Sequence, residues 1–416
     1  MINQRNSTFI KSISILTSGS IIAQMIIIIS APILTRLYSP EEIGAYTYIM
    51  SISHIFMAII NGRYDMSIVT EKDEKKVFAL IKLSLIVSSI LSILISFGYG
   101  VYFNFFSTKT LINNNIIIIL FLIIFSYGLI NVLNAYNNRE KKYVLMSSLY
   151  IFRSATQNFG AIIFSILNIK VLGLLIPYTF GQFIGIKRQA KSLFTNFNEI
   201  KNIQAKDVLE VAILHKKQPI FSAPALFANS FSYASITIFI EMLFGMGVVG
   251  LYSVSLRVLG IPLSIISGNV SKVFYEDASR EYNRTGQFFK SFKKTVIFLS
   301  ILALPMVATM IYIVPPLVTL VFGDEWREAG KYIKILSPMF GVRFIVSSIS
   351  VGLLVAQKQN YEFIIQILFI FISIITYIIA NYLELEIIGY LSIISITFTI
   401  IYLFNFIIIY KISIKN

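Results

Sequence analysis

Three arginines lie deep within long apolar segments, where charged side chains are unexpected. Arg153, Arg257 and Arg343 each stand about ten residues from the nearest segment end, roughly 15 Å along a helix. A charge at the bilayer centre costs at least about 2.5–3.5 kcal/mol on insertion scales. Because guanidinium groups bind phosphate oxygens through paired hydrogen bonds, we predict that these arginines line a hydrated cavity for an anionic substrate. The alternative is that each arginine binds carbonyl groups at a kinked helix.

Other titratable residues are weaker candidates. Lys82 and Arg63 lie nearer to segment ends, and we also predict that they contact the substrate. The alternative for Arg63 is an ion pair with Asp65. Asp65 and Glu241 are candidates for carrying a coupling proton, but an acid at a helix end is usually solvated. His54 lies within an apolar segment, where a hydrogen-bonded packing role and a proton-relay role are both open.

The residue types exclude several classes of site. The 416 residues contain no cysteine and only two histidines, so we predict no thiolate metal site and no metal or cofactor. No Gly-x-x-x-x-Gly-Lys-Ser/Thr loop is present, which excludes an ATP site of that kind. Sugar chemistry outside the membrane generally needs a large outward domain, whereas all predicted outward loops are short. We therefore expect a protein that is not an enzyme.

Composition predicts an all-α integral membrane protein. Hydrophobic residues make up 56% of the chain, charged residues make up 13%, and the mean hydropathy is +0.78. About a dozen runs are long enough to span a bilayer, which takes about 20 apolar residues each. Most of the basic residues fall on one set of connections, which includes both termini. The positive-inside rule places that set in the cytoplasm. The net charge of +15 then favours anionic lipid headgroups over nucleic acid as partners.

A repeated pattern divides the chain into two similar halves. Leu37, Gly44 and Tyr46 recur after 206 residues as Leu243, Gly250 and Tyr252, each time in a short turn between apolar runs. Internal repeats are a common architecture of transporters, with the substrate site between the repeats. The predicted domains are an N-terminal bundle at 1–187, a cytoplasmic linker at 188–218 and a C-terminal bundle at 219–416.

The connections between spans carry two further predictions. In the linker, Ile200, Ile203, Val208, Val211 and Leu214 recur near helical spacing among charged residues, which predicts an amphipathic helix on the inner membrane surface. The basic stretch 272–294 is predicted to be a cytoplasmic loop.

Four segments carry a resemblance to a known family. The sequence resembles the Wzx-type polysaccharide flippases of the multidrug/oligosaccharidyl-lipid/polysaccharide exporter superfamily. The second and fourth segments are the most specific, with Leu-Arg-Val-Leu-Gly-Ile-Pro-Leu at 256–263 and Phe-Gly-Asp-Glu-Trp-Arg at 322–327. The matching segments are 31–44, 243–263, 273–279 and 322–338.

The resemblance implies about twelve transmembrane helices in two six-helix bundles, arranged as a V around a central cavity. It also implies a flippase of the bacterial inner membrane. Such a protein moves undecaprenyl-diphosphate-linked oligosaccharide units of O-antigen or capsule, in lipopolysaccharide or related polysaccharide synthesis, from the cytoplasmic to the periplasmic leaflet. Arg257 lies inside a matching motif, so the resemblance assigns it most directly to the diphosphate. Other membrane proteins of polysaccharide assembly are expected partners, although no residue indicates them.

Three alternatives remain at this point. A multidrug exporter of the same fold would expel cations, which suit a cavity rich in arginine poorly. A membrane polysaccharide polymerase or ligase would need a larger outward domain. A passive scaffold would leave the three buried arginines unexplained.

Overall fold

The computed structural model describes residues 2–106 and 115–414, and within these residues every regular element is a helix. Nine of the described helical segments are long and apolar enough to cross a membrane. The other three predicted spans coincide with helices at Pro40–Met57, Tyr143–Ser165 and Leu172–Phe183. The prediction of an all-α membrane protein with about twelve spanning helices is confirmed.

Two compact units divide the chain. Unit 1 comprises Met1–Tyr38 and Ile49–Ser230, and unit 2 comprises Ser39–Tyr48 and Phe231–Asn416. The helices up to residue 214 are α1 (Ile2–Leu37), α2 (Pro40–Met57), α3 (Tyr64–Thr70), α4 (Glu74–Phe106), α5 (Asn115–Arg139), α6 (Tyr143–Ser165), α7 (Leu172–Phe183), α8 (Ile186–Gln189), α9 (Lys191–Thr195), α10 (Phe197–Asn202) and α11 (Ala205–Leu214).

The remaining helices belong mainly to unit 2. They are α12 (Ala223–Phe244), α13 (Met246–Pro262), α14 (Gly268–Thr285), α15 (Phe289–Tyr312), α16 (Val314–Phe322), α17 (Arg327–Ile349), α18 (Gly352–Val355), α19 (Gln359–Tyr382) and α20 (Ile387–Ile414). The units differ from the predicted domains in three places. The linker belongs to unit 1, and so do residues 219–230, which include the start of α12. The ten residues Ser39–Tyr48, which include the start of α2, belong to unit 2.

Local sequence explains how α2 begins and ends. Ser39 and Glu42 form a reciprocal cap, since the Ser39 amide donates to Glu42 Oε2 at 3.0 Å and the Glu42 amide donates to Ser39 Oγ at 3.3 Å. Pro40 occupies the first helical position, where its missing N–H costs nothing. The helix ends before Gly62 and Arg63, which both adopt left-handed backbone conformations, with φ of 59° and 63°.

The repeated glycines contact each other directly. A Cβ atom on Gly44 would lie 1.8 Å from the Met246 carbonyl oxygen, and one on Gly250 would lie 2.0 Å from the Pro40 carbonyl oxygen. Only residues without a side chain permit the starts of α2 and α13 to approach this closely. The repeat seen in the sequence therefore corresponds to a crossing of two equivalent helices within unit 2.

The linker forms several short helices, and its apolar stripe packs on protein. Ile203 and Val211 are buried in a cluster with Val77 and Leu80 of α4 and with Tyr64. Of the predicted stripe, only Leu214 is exposed, at 54%. The expectation that this stripe lies on the membrane was wrong, because α4 already covers it.

A long helical segment replaces the predicted loop at 272–294. The π-helical turn Leu263–Ser267 follows Pro262 without interrupting the segment, and α14 continues to Thr285. Gly286, with φ of 72°, then ends α14. The charged residues of this stretch therefore lie on a helix. A helix in contact with water can be amphipathic without being apolar enough to cross a membrane.

Candidate anion-binding site

A cavity of about 630 Å³ lies within unit 2. Its wall combines aromatic rings, serine hydroxyls and one arginine, contributed by α12, α13, α14, α17 and α20 together with the π-helical turn. The volume falls in the range of small-molecule sites, which is about 300–1,000 Å³. The lining residues are Tyr233, Ile236, Tyr252, Leu256, Gly260, Leu263, Ser264, Ser267, Gly268, Ser271, Met339, Phe340, Arg343, Ser347 and Phe398.

Arg343 is the charged group of this cavity. Its guanidinium carbon lies 4.5 Å from the ring centre of Tyr233 and 5.3 Å from that of Phe340, so aromatic faces stabilise the cation. The ionisable groups close enough to affect it are the phenols of Tyr233, Tyr252 and Tyr402, and no carboxylate of a described residue is among them. Rings can hold the guanidinium faces while the N–H groups at its edge stay available to an anion.

Arg257 is the second arginine of unit 2 without a carboxylate nearby. It lies on α13, one residue from the cavity-lining Leu256, and is half-buried. The described ionisable group close enough to influence it is Tyr46. Tyr46 and Tyr252 occupy equivalent positions in the repeat. Tyr46 lies close to Arg257, and Tyr252 lies close to Arg343.

Arg153 has a different environment, within unit 1. The Arg153 Nε donates to the Ile184 carbonyl oxygen at 3.2 Å, and its Nη2 donates to Gln189 Oε1 at 2.8 Å. Gln189 in turn donates to Asn134 Oδ1 at 2.8 Å. Ile184 follows the last residue of α7, so Arg153 connects the end of this helix to Gln189 and, through it, to Asn134. These are the contacts expected of the structural alternative.

Lys82 and Arg63 also lie apart from the unit 2 cavity. Lys82 Nζ donates to the Ile203 carbonyl oxygen at 2.7 Å and thereby holds the linker against α4. Arg63 precedes α3, and its Nε is buried without a hydrogen bond to a described residue. The structure therefore gives Lys82 a packing role, while Arg63 keeps an unused donor inside unit 1.

The three predicted ion-coupling residues occupy three separate environments. Asp65 is 8% exposed in the first turn of α3, close to Arg63. Glu241 is 4% exposed near the end of α12. His54 is exposed on α2. Among the described residues, no three histidine or acidic side chains gather in a way that could hold a metal ion.

The sequence analysis named Arg257 and Arg343 as candidates but did not predict their aromatic and hydroxyl neighbours. Tyr252 was visible in the repeat, without an assigned role. Tyr233, Phe340 and the serines gave no signal, because aromatic and small residues are common in membrane helices and their convergence depends on tertiary packing.

Two sequence comparisons match the chain to proteins of polysaccharide biosynthesis. Residues 33–331 match the profile of a family described as Polysaccharide biosynthesis protein. The chain is also similar to the capsular polysaccharide biosynthesis protein CapF of Staphylococcus aureus. The two are 26% identical over 353 residues, which cover 82% of this chain and 85% of CapF.

Comparisons of structure identify the fold. An inward-facing multidrug resistance MATE family transporter of the MOP superfamily matches with a TM-score of 0.75 and 15% identity, covering 94% of both chains. The lipid II flippase MurJ, in an inward closed conformation, matches with a TM-score of 0.71 and 16% identity, covering 96% of this chain and 89% of MurJ. At these identities the likeness extends to the fold alone.

Proposed function

The chain belongs to the family of polysaccharide biosynthesis proteins, and we propose that it flips undecaprenyl-diphosphate-linked oligosaccharide units across the bacterial inner membrane. The units would pass from the cytoplasmic to the periplasmic leaflet and would serve a surface polysaccharide such as O-antigen or capsule. Both termini would lie in the cytoplasm, in keeping with the distribution of basic residues.

The observation that carries this proposal is the pair of unneutralised arginines in unit 2. Neither Arg257 nor Arg343 has a nearby carboxylate among the described residues. A buried cation without a counter-charge is costly, so the site is stabilised when an anion enters. A diphosphate supplies two adjacent anionic groups and many acceptor oxygens, which match two guanidinium forks.

The cavity also suits the sugar next to the diphosphate. Its volume of about 630 Å³ exceeds what the phosphates alone would fill, and it presents aromatic rings beside serine hydroxyls. Rings can pack against the apolar faces of sugars, and hydroxyls can exchange hydrogen bonds with them. Under this proposal the lipid tail stays in the bilayer, while alternating access exposes the site first to one side and then to the other. Ion coupling through Asp65, Glu241 or His54 is the proposed source of energy.

The proposal is tested in a strain that lacks the chromosomal gene and carries Arg257→Gln, Arg343→Gln or both. Each loss of a charged hydrogen bond should weaken diphosphate binding by about 1.5–3 kcal/mol, which is on the order of 10- to 100-fold. Surface polysaccharide should fall, and lipid-linked units should accumulate on the cytoplasmic face, where a membrane-impermeant label added outside does not reach them.

Arg284→Gln is the matched control, since it removes an arginine of unit 2 from an exposed position at the end of α14. It should leave the surface polymer unchanged. Normal polymer in a properly inserted Arg257→Gln/Arg343→Gln variant would falsify the assigned site. Units that reach the periplasmic face but stay unpolymerised in the deletion strain would instead favour a polymerase or ligase.

A multidrug exporter predicts a different result in the same strain. Its substrates would be cationic, and Arg257 and Arg343 would repel them. Robust efflux of a cationic dye, lost on deletion of the gene, would overturn the flippase proposal. Removal of Arg343 would then be expected to increase efflux rather than abolish it.

A further inference from the structure

The linker helix α11 has two apolar faces, and only one of them is covered. On the inner face, Val211 is 1% exposed and packs with Val77 and Leu80 of α4. The Tyr64 hydroxyl adds a hydrogen bond to the Ala212 carbonyl oxygen at 3.4 Å. The inner face of α11 is therefore fixed to unit 1.

Two ion pairs and a histidine contact also attach α11 to unit 1. Asp207 Oδ1 lies 2.6 Å from Lys75 Nζ, and Glu210 Oε1 lies 3.1 Å from Lys76 Nζ. His215, directly after the helix, lies 3.3 Å from Glu71 Oε2. Both acidic residues of α11 are thus paired with lysines in the first turn of α4.

The outer face combines apolar and basic side chains with one acid, Glu210, whose 57% exposed side chain is paired with Lys76. Leu209 is 62% exposed, Ile213 is 58% exposed and Leu214 is 54% exposed. Leu209 and Ile213 are four residues apart and lie on one side of the helix. Three exposed lysines flank them, and none of the three forms a salt bridge with a described residue. These flanking lysines are Lys206, Lys216 and Lys217.

An apolar strip bordered by unpaired lysines fits one kind of partner well, the surface of an anionic lipid leaflet. Apolar side chains enter the boundary between headgroups and acyl chains, while lysines contact the headgroups. Each lysine near such a surface contributes about fivefold to binding, so three contribute on the order of 100-fold. A protein partner would more commonly offer acids in fixed positions, and nothing in the outer face of α11 requires fixed geometry.

We propose that the outer face of α11, formed by Leu209, Ile213 and Leu214 with the three flanking lysines, binds anionic phospholipid headgroups of the cytoplasmic leaflet. Most of the stripe predicted from the sequence packs within unit 1, whereas Leu214 of that stripe joins Leu209 and Ile213 in the proposed membrane contact. The contacts of α11 with the first turn of α4 and with Glu71 then hold unit 1 at a fixed depth relative to the headgroups. This proposal is independent of the transported substrate.

The absence of cysteine from the sequence makes a direct test possible. The full-length Leu209→Cys variant is labelled with an environment-sensitive fluorophore and placed in nanodiscs of phosphatidylcholine, with or without phosphatidylglycerol. We expect blue-shifted emission and quenching by headgroup-proximal doxyl lipids when phosphatidylglycerol is present. Asn138 is exposed in the last turn of α5, and the Asn138→Cys variant supplies the emission of a labelled polar site.

Charge variants test the lysines separately. In one variant the three flanking lysines become glutamine, which should remove most of the dependence on phosphatidylglycerol. A control variant loses the same charge from exposed positions of unit 2 and should keep that dependence. The control substitutions are Lys290→Gln, Lys293→Gln and Lys294→Gln.

Three results would overturn the proposal. The first is emission at Leu209→Cys that matches the Asn138→Cys site in every lipid, which would leave the face for water or a protein partner. The second is equal quenching in pure phosphatidylcholine, which would mean apolar contact without recognition of anionic lipid. The third is an equal effect of both lysine variants, which would indicate a general charge effect.

Discussion

A disulfide between Glu41→Cys and Gly247→Cys should stop transport, and the reason lies in the division of α2 between two units. Its start belongs to Ser39–Tyr48 in unit 2, whereas its continuation from Ile49 belongs to unit 1. Under alternating access the units move in each cycle. Because α2 continues into unit 1, we expect that movement to pull its start away from α13. A covalent link across the crossing would prevent the separation.

The geometry permits the bond with little distortion. A Cβ atom at position 247 would lie 3.7 Å from Glu41 Cγ, and a cysteine sulfur at position 41 would take approximately the place of that Cγ. A sulfur lies about 3 Å from the opposite Cβ when the S–S bond is about 2.04 Å, so the helices need to approach by roughly 0.7 Å. Small shifts of this size are within the reach of two helix starts.

The matched control is a disulfide inside unit 2 that crosses no proposed moving contact. Val307 Cβ lies 3.8 Å from a Cβ built on Gly341, equal to the mean Cβ separation of about 3.8 Å in disulfides. Oxidation of Val307→Cys/Gly341→Cys should therefore form a bond between α15 and α17 without loss of transport.

The assay compares surface polysaccharide and the leaflet of lipid-linked units in oxidised and reduced cells. Oxidised Glu41→Cys/Gly247→Cys should lose transport at least about tenfold and regain it with a reductant, while each single variant stays active. Complete cross-linking with undiminished transport would refute the reasoning. In that case the start of α2 would be a permanent part of unit 2, and any movement would have to bend α2 beyond Tyr48.

Three further predictions concern single side chains. Arg153→Met should lower the thermal midpoint, because it removes charged hydrogen bonds of about 1.5–3 kcal/mol each. Gln189→Leu should destabilise the Arg153→Met variant less than it destabilises the wild type, because the two side chains interact. Arg343→Lys should retain charge but bind diphosphate more weakly than wild type in a direct binding assay, because the planar fork is lost. The hydrogen bond from Lys75 lowers the pKa of Asp207, so wild type should be more stable than Asp207→Asn above about pH 4, and the difference in thermal midpoint should vanish as the pH falls through that lowered pKa.

The sequence allowed the spanning helices and the repeat to be predicted, because both depend on patterns that lie along the chain. Runs of about 20 apolar residues have few alternatives to a membrane helix. Gly44 and Gly250 stood out since each follows a turn and precedes a similar apolar run. Their mutual contact was not predicted, because nothing in a linear pattern says which helices cross.

Side-chain partners were predicted least well, because they come from distant parts of the sequence. The linker stripe containing Ile203 and Val211 was recognised as apolar, but whether lipid or α4 covers it depends on tertiary packing. The helix at 268–285 was predicted as a loop because its many charged residues are unlike those of a membrane span. The charges did not indicate that the spanning helix continues beyond the membrane.

The arginines show how structure separates residues that the sequence treats alike. Arg153 and Arg343 both lie deep in apolar segments, and depth alone assigned both to the substrate. Arg153 donates to two acceptors of its own unit, so its charge is already solvated by the protein. Arg343 rests against aromatic rings and has no hydrogen bond to a described acceptor, while it opens into a cavity. Because a guanidinium has five donors, an arginine whose donors are unused beside a cavity is the one prepared to bind an anion.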